Sequence, residues 1–511
     1  MLRPLAGLLC ICLVAADATA DETFGFDEVA TKARELAQKG WTAPPGIPDF
    51  LREIEYSRYQ EIRFREDRNL WRDSDSSFQV MLTPAGKHFS HAVALNEIRD
   101  GKVEPIPFAR DNFSYPSEEF AKRIPADLGY AGFRLTYPLR GPEINNQFLA
   151  FAGASYFRGV GRNDGFGLSA RGVAIDTGLA SGEEFPSFVE YWLEKPSGGA
   201  DQMVVYALLD GPSLTGAYRF TIHPGDSLEM EVQARLFFRN QVSLPGYAPL
   251  TSMFYYGENT LRPMGEWRPQ THDSDGLLVV SGDSGEWLWR PLINPASLRM
   301  SYLKANNPKG FGLIQRDRDF RDFQDLEARY ERRPSAWVSP QGDWGEGSVV
   351  LVEIPTRSEV NDNIVAFWAP EEPPAAGANV DLAYTLKFGP PGISGHTAGR
   401  AMNTFVGDGN RIGGGNQEGA YRILVDFAGG SLGKVDPGAD VVSHVNASGD
   451  TKVLEHFVEY SEPTGQWRLS MLVRPPADQI LTLRAYLSQG GEPLTETWTY
   501  ELPPGLDIRS Q

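Results

Sequence analysis

From about residue 56 to residue 368 the apolar residues alternate with polar ones or gather in short β-branched runs. Helical spacing is almost never sustained there, and this is the pattern of strands joined by turns. Residues 203–209, 228–238 and 277–281 are examples, with Pro-Gly, Asp-Gly and Gly-Asp pairs punctuating the chain between such runs. Residues 348–354 and 364–368 read as two more buried strands, rich in Val and Ile, which pack well on a pleated surface. Helical periodicity is confined to the start. Residues 27–39 (DEVATKARELAQK) place Val29, Ala33 and Leu36 on one face with Gly40 as the stop, and residues 48–55 form a second short helix. A Pro-rich acidic segment at 369–378 (APEEPPAAGA) marks a linker or a strand leaving one domain. Beyond it come a strand at 379–388 and a Gly-rich segment at 396–419 that reads as a mobile loop. Short strands follow at 421–427, 453–460, 467–473, 480–487 and 497–502. Six or seven strands in about 100 residues is the rhythm of an immunoglobulin-like sandwich. The pattern therefore predicts an all-β protein, with a large many-stranded β-sandwich over 21–388 and a small immunoglobulin-like β-sandwich over 389–511.

Composition adds a compartment. Residues 1–20 hold Arg3, an apolar stretch at 5–16 and the small-residue site Ala18-Thr19-Ala20, a secretory signal expected to be cut after Ala20. It has neither a twin arginine nor a convincing lipobox, so general secretion is expected. Cys10 and Cys12 both fall inside it, which leaves the mature chain without a disulfide, a thiol nucleophile or a thiolate metal site. No later run approaches the roughly 18 apolar residues of a membrane helix, so an exported protein without stable membrane insertion is expected, in a bacterial cell the periplasm. With 48 basic against 67 acidic residues the formal charge is −19, and nucleic acid and anionic lipid are poor partners for such a surface. Aromatics at 11%, 53 glycines and 37 prolines suit a β-rich protein with many turns, and ring faces over a polar cleft suit sugars.

Three stretches offer chemistry. The turn between 355 and 364 gathers Arg357, Glu359, Asn361 and Asp362 at the mouth of a strand, where neighbouring charges can raise a carboxyl toward the range of a general acid. Asp362-Asn363 as plain turn punctuation is the competing reading. His272-Asp273-Ser274-Asp275-Gly276 puts two acids and a histidine before a strand, with an Asx-type turn as its alternative. Residues 315–334 (QRDRDFRDFQDLEARYERRP) interleave six arginines with acids, phenylalanines and Tyr330, either a sugar-binding wall of planar groups or a solvated charged face. Other motifs carry less. His88 and His91, three apart in an expected strand, fall on opposite faces and are not read as metal ligands. Gly167-Leu168-Ser169-Ala170-Arg171 lacks the final Gly of a nucleophile elbow, and Gly413 to Gly415 lack the context of a phosphate cradle. No metal or other cofactor is expected.

Long segments then carry a resemblance: LGYAGFRLTYPL (128–139), FGLSARGVAIDTGLASGEEFPSF (166–188), APLTSMFYYG (248–257), HDSDGL, GEWLWRPLINP (285–295), NPKGFGLIQRDRDF (307–320), RPSAWVSPQGDWGEGSVVLVEIPT and NDNIVAFW. In this order, over essentially the whole mature chain, the sequence resembles the periplasmic glucan biosynthesis proteins G and D, its plain secretion signal resembling the G branch. The resemblance implies a carbohydrate-processing β-sandwich joined to an immunoglobulin-like domain, acting on osmoregulated periplasmic glucans with a β-1,2-linked backbone. It implies an anomer-inverting endo-β-1,2-glucanase or a transglycosylase. In the matching motifs the general acid falls on Asp362 and the general base on Asp273, acting directly or through a chain of waters, which the resemblance favours. Tyr330 and Arg333 match residues lining the sugar and water path. Asp275 and Trp344 complete the candidate sugar contacts, and Asp275 is also the alternative to Asp273 as base, because residues i and i+2 of an extended segment share a face and both reach the cleft. Val360 stands where some members have Thr, removing a hydroxyl that could order a water. The alternative is a non-catalytic glucan-binding or assembly factor serving an inner-membrane glucosyltransferase. The segment 396–419 is expected to cover the cleft, in its own subunit or in that of a homodimer partner.

Overall fold

A computed structural model describes residues 24–409, 417–449, 451–475 and 480–502. The expected signal at 1–20 and the glycines Gly413 to Gly415 lie outside the described residues. The chain is nearly all β, built on two large sheets. One has ten strands and runs from Gln79–Pro84 through Tyr130–Tyr137, Asn146–Ala152, Tyr156–Gly159, Ser169–Arg171, Pro245–Ser252 and Ile364–Pro370 to Gly347–Glu353 and Arg299–Lys304. The other has fifteen and includes Ser187–Glu194, Met203–Asp210, Leu214–His223, Leu228–Phe238, Asn379–Gly389, Gly310–Ile314 and Gly276–Val280. Alternate residues of each face inward, as the period of two requires. Phe133 and Phe151 of the first sheet meet Tyr191 and Phe220 of the second with ring centroids 5.1–5.7 Å apart, and these rings belong to one continuous sandwich core. The helix Phe26–Ala37 buries Val29, Ala30 and Ala33 against Trp192, Tyr206 and Phe237 on the outside of the larger sheet. The Glu28 carboxylate accepts the Gly25 N–H at 2.7 Å to close its first turn.

The C-terminal strands form a second sandwich. Arg400–Asp408, Tyr421–Ala428, Gln466–Arg474 and Lys452–Ser461 lie in that order in one sheet; Val442–Ala447, Leu481–Gln489 and Thr497–Leu502 lie in the other. Lettered in chain order these are A-B-E-D and C-F-G, the pairing of an immunoglobulin constant-type domain. Two of the seven strands were not legible in the pattern, Arg400–Asp408 and Val442–Ala447. The first corrects the reading of 396–419 as a mobile loop. Arg400 to Asp408 pair with Ala428 to Tyr421, and only residues 410–416 of that segment are outside the described residues. Its glycines misled, because Gly407 lies in the ladder opposite Arg422 with no close neighbour that a Cβ would strike.

The two sandwiches share a sheet. Leu288 and Trp289 pair in parallel with Thr497 and Trp498, so the C-F-G sheet continues the fifteen-stranded one. Leu278, Trp289, Ile314 and Trp337 of the large sandwich pack in one cluster with Ile423, Leu469, Leu483 and Trp498 of the small one. At this junction the Arg316 guanidinium is bonded to both oxygens of Glu496 at 2.6 and 3.0 Å, with side chains 3% and 0% exposed. Breaking a buried pair by removing one partner strands a charge in the interior and costs about 3–5 kcal/mol. Glu496→Ala is therefore expected to lower the temperature of a single unfolding endotherm in calorimetry. Two endotherms, with only one shifted, would show that the sandwiches unfold independently.

Candidate active site

Strand register decides which end of each strand carries chemistry. Gly347–Glu353 pairs antiparallel with Ile364–Pro370, Glu353 opposite Ile364 and Gly347 opposite Pro370. Asp362 therefore sits just beyond one end of the pair, and Trp344 just beyond the other. Trp344 is buried in the core, its ring 5.4 Å from Trp368 and 6.1 Å from Tyr384, with its indole N–H given to the Ala383 carbonyl. It is a packing residue at the far end of the strands, which corrects its reading as a sugar contact.

Asn363 is more than turn punctuation. Its Oδ1 accepts the Phe254 N–H at 2.9 Å and its amide donates to the carbonyls of Phe254 and Ile354 at 3.0 and 2.9 Å. This ties the Asp362 turn to the segment whose Met253 carbonyl accepts the Asp273 N–H at 2.8 Å. His272 orients the same segment from behind. It is fully buried, stacked on Phe254 at 5.4 Å, with its ring nitrogens 2.9 Å from the amide oxygens of Gln315 and Gln270. Burial lowers its pKa to about 4, so it is a neutral wedge at neutral pH.

Asp273 and Asp362, 89 positions apart, are thus brought into one charge cluster. Asp362 Oδ2 accepts from Arg158 at 3.1 Å. Asp273 Oδ1 faces Arg333 Nε at 3.3 Å but makes no aligned hydrogen bond among the described residues. Burial pushes the Asp273 carboxyl above its ordinary value; Arg333 pulls it back, and the Asp362 charge raises it again. Tyr330 is buried and donates to Glu359 Oε2 at 2.9 Å, and burial followed by that carboxylate pushes its phenol up. Arg268 also bonds Glu359, and holds Glu266 at 2.9 Å and Asp325 at 3.2 Å, clamping three loops together. Val360 is exposed beside this cluster.

The structure brings Asp273, Asp362, Tyr330 and Arg333 together and sets Asp275 apart. The chain bends at Asp273 and again at Asp275, so the i, i+2 rule for an extended segment does not apply. Ser274 between them bonds Ser252 at 2.8 Å, and both Asp275 oxygens accept the Arg316 N–H, at 2.8 and 2.7 Å. Asp275 holds a backbone turn, which corrects its reading as a sugar contact. Residues 315–334 are mixed, with Asp319, Arg321, Gln324, Glu327 and Arg332 exposed and a buried set between them. Arg316, Asp317, Phe323, Tyr330 and Glu331 are buried. His88 lies in a turn and His91 bridges to Gly46, so the pair does not share a strand. Ser169 is buried in a strand opposite Thr251. Arg158, Arg268 and Tyr156 were missed, since no local pattern ties Arg158 and Arg268 to carboxylates 204 and 91 positions away, or sets Tyr156 beside the former.

Behind Asp275 lie Glu258, Asp317 and Asp322, whose carboxyls burial pushes up. Asp275 and Glu258 both rise to about 7. Glu258 as a residue is half-buried, but its carboxylate is enclosed and accepts the Thr404 N–H at 3.0 Å from the small sandwich. The folded state holds this proton more tightly than the unfolded chain does. That stabilisation is complete below the ordinary glutamate range and is lost as pH rises through about 7. Glu258→Gln keeps the shape without the ionisation. Its gain in unfolding free energy over the parent, read by denaturant titration, is expected to grow between pH 5 and pH 8, as the parent gives up the proton that burial holds on it. A difference independent of pH would mean that Glu258 does not carry the proton.

With this geometry in place, comparison with known proteins is informative. Residues 24–502 match the family model described as "Periplasmic glucan biosynthesis protein, MdoG". Glucans biosynthesis protein G of Ralstonia nicotianae is 43% identical over 511 residues, covering 99% of this chain and all of the relative. The protein of the same name from Pseudomonas aeruginosa is 43% identical over 98% of this chain and 96% of its own length. That from Dickeya dadantii is 42% identical over 94% and 93%. Match length and identity leave one conclusion: the chain belongs to the periplasmic glucan biosynthesis protein (MdoG) family and takes part in glucan biosynthesis.

Proposed function

We propose that the protein is a periplasmic glycoside hydrolase or transglycosylase that acts with inversion on the β-1,2-linked glucan backbone. In this reading Asp362 is the general acid and Asp273 the general base. The observation that carries it is the convergence of these two carboxylates from separate loops into one charge cluster with Arg158 and Arg333. Inversion requires such a pair, one to protonate the leaving oxygen and one to take a proton from the attacking water. Asp273 Oδ1 makes no aligned hydrogen bond among the described residues, which leaves it able to accept one from a water that enters with the sugar. Tyr330 and Arg333 border its path to that water. For Asp362 to deliver a proton, its contact with Arg158 has to loosen as the sugar enters. Secretion by the residue 1–20 signal, cut after Ala20, supplies the compartment.

Leaving-group chemistry separates the two roles. Asp362→Asn is expected to lose cleavage of linear β-1,2-glucan yet keep cleavage of a β-1,2-gluco-oligosaccharide bearing a dinitrophenyl group, whose departure needs no proton. Asp273→Asn is expected to lose both. The opposite pattern would exchange the roles, and product anomers of retained configuration by NMR would rule out inversion.

Arg333 gives a pH test. Its charge lowers the Asp273 carboxyl, so Arg333→Gln is expected to move the acid limb of the kcat/KM profile to higher pH. An unmoved limb would remove Asp273 from the ionisations that govern activity. Exposed Val360, which offers no hydroxyl beside Asp362, favours a second reading: a glucan-binding or assembly factor that receives chains from an inner-membrane glucosyltransferase. That reading holds if wild type and Asp362→Asn bind glucan alike and neither releases new reducing ends.

A further inference from the structure

The outer face of the ten-stranded sheet carries a second set of groups beside Asp362. In the strand Tyr156–Gly159, Phe157 enters the core, and Tyr156 and Arg158 therefore turn to the other face. Arg158 is the residue that meets Asp362. Tyr156 lies opposite Arg171 on the neighbouring strand. The Arg171 guanidinium stands 4.7 Å from the Tyr156 ring and 5.6 Å from the Phe185 ring. Arg171 is only 5% exposed, and its edges are occupied by Thr251 Oγ1 at 2.8 Å and by Glu183, which also takes the Thr177 hydroxyl at 2.7 Å. These two bonds hold the guanidinium in place over the two rings.

Phe185 is nonetheless 50% exposed. An apolar ring so placed lies outside the sandwich core, while the group beneath it is held by two bonded partners. The Tyr156 hydroxyl has no hydrogen-bond partner among the described residues; burial pushes its phenol up, and the charges of Arg171, Glu183, Asp362 and Arg158 act on it in that order. One fixed ring face, one unspent hydroxyl and flanking charged groups make a mostly preformed site with few, well-placed polar contacts. A protein partner calls for a contiguous apolar patch of a few hundred Å². A β-glucosyl unit, with apolar C–H faces and an equatorial rim of hydroxyls, asks for one ring and a few hydrogen bonds.

We propose that Phe185 and Tyr156, held in place by Arg171, form a stacking subsite for a glucosyl unit on the Arg158 side of Asp362. The inference rests on the glucan reading above and assigns residues that the acid and base roles do not use. Phe185 supplies the ring face and Tyr156 a hydroxyl to the sugar. Arg171 positions both rings and touches no substrate. Rings held before binding lose little freedom when the sugar arrives, so their contact appears in affinity.

Calorimetric titration of linear β-1,2-glucan into Asp362→Asn protein tests this without turnover. Adding Phe185→Ala is expected to raise Kd about tenfold, the factor that corresponds to about 1.4 kcal/mol. Phe185→Trp in the same background should keep the affinity, whereas Phe185→Leu, apolar but without a ring face, should lose it as Ala does. Equal affinity with Ala, or full rescue by Leu, overturns the subsite and leaves the glucan reading standing. Absence of glucan binding in the Asp362→Asn protein itself overturns both. A change of sedimenting mass in Phe185→Ala with affinity unchanged would make Phe185 a subunit contact and overturn the proposal.

Discussion

One buried cation holds the molecule together. Arg316 lies flat on Trp289, its guanidinium 3.5 Å from the ring, and is bonded to both oxygens of Glu496 and to the Ala401 carbonyl. Glu496 in turn accepts the Ala401 N–H at 2.9 Å. A guanidinium is suited to this because it can stack through its face while its edges form parallel bonds to a carboxylate. Its own backbone N–H fixes Asp275, two residues from Asp273. The small sandwich is thus wedged beneath the candidate site, and the position of Asp273 depends on the same residue that joins the two sandwiches. His396 lies alongside, its ring 4.3 Å from Trp287 and, with a pKa lowered by burial to about 4, neutral at neutral pH.

The same logic governs the site itself. Carboxylates withdrawn from water are costly unless a cation or hydrogen bonds compensate them. Arg268 serves Glu266, Asp325 and Glu359, while Arg158 and Arg333 serve Asp362 and Asp273. Compensation of Asp273 is incomplete, since burial outweighs Arg333 at its side and the more distant Arg158, and its carboxyl rises.

Bare backbone makes this packing possible. A Cβ on Gly276 would come within 2.2 Å of the Trp289 ring, and one on Gly310 within 2.2 Å of Trp337. Gly276 lies just after Asp275, and its lack of a side chain lets Trp289 lie against the strand and present its ring to Arg316. The close approach requires glycine at that point even though its backbone conformation is unremarkable.

Much of this was legible in the sequence, because a strand's period and its bounding turns are local properties. Strands at 228–238 and 497–502, the helix near 27–39 and the all-β class follow from alternation, β-branched runs and Gly or Pro punctuation. Matching motifs picked out Asp273, Asp362, Tyr330 and Arg333 one by one. Where glycine suggested freedom, at 400–408, cross-strand pairing overrode it, as pairing depends on a partner strand that local composition does not contain. Only tertiary structure separated Asp275 from Asp273, since a bend between them cancels the face-sharing of an extended chain. It likewise sent Trp344 to the core, because antiparallel register decides which end of a strand faces a cleft. Arg158 and Glu496 could be found in no other way, for charge partners 204 and 180 positions apart are selected by the fold and leave no trace in spacing, and the same holds for the bond of Arg171 to the Thr251 hydroxyl 80 positions on.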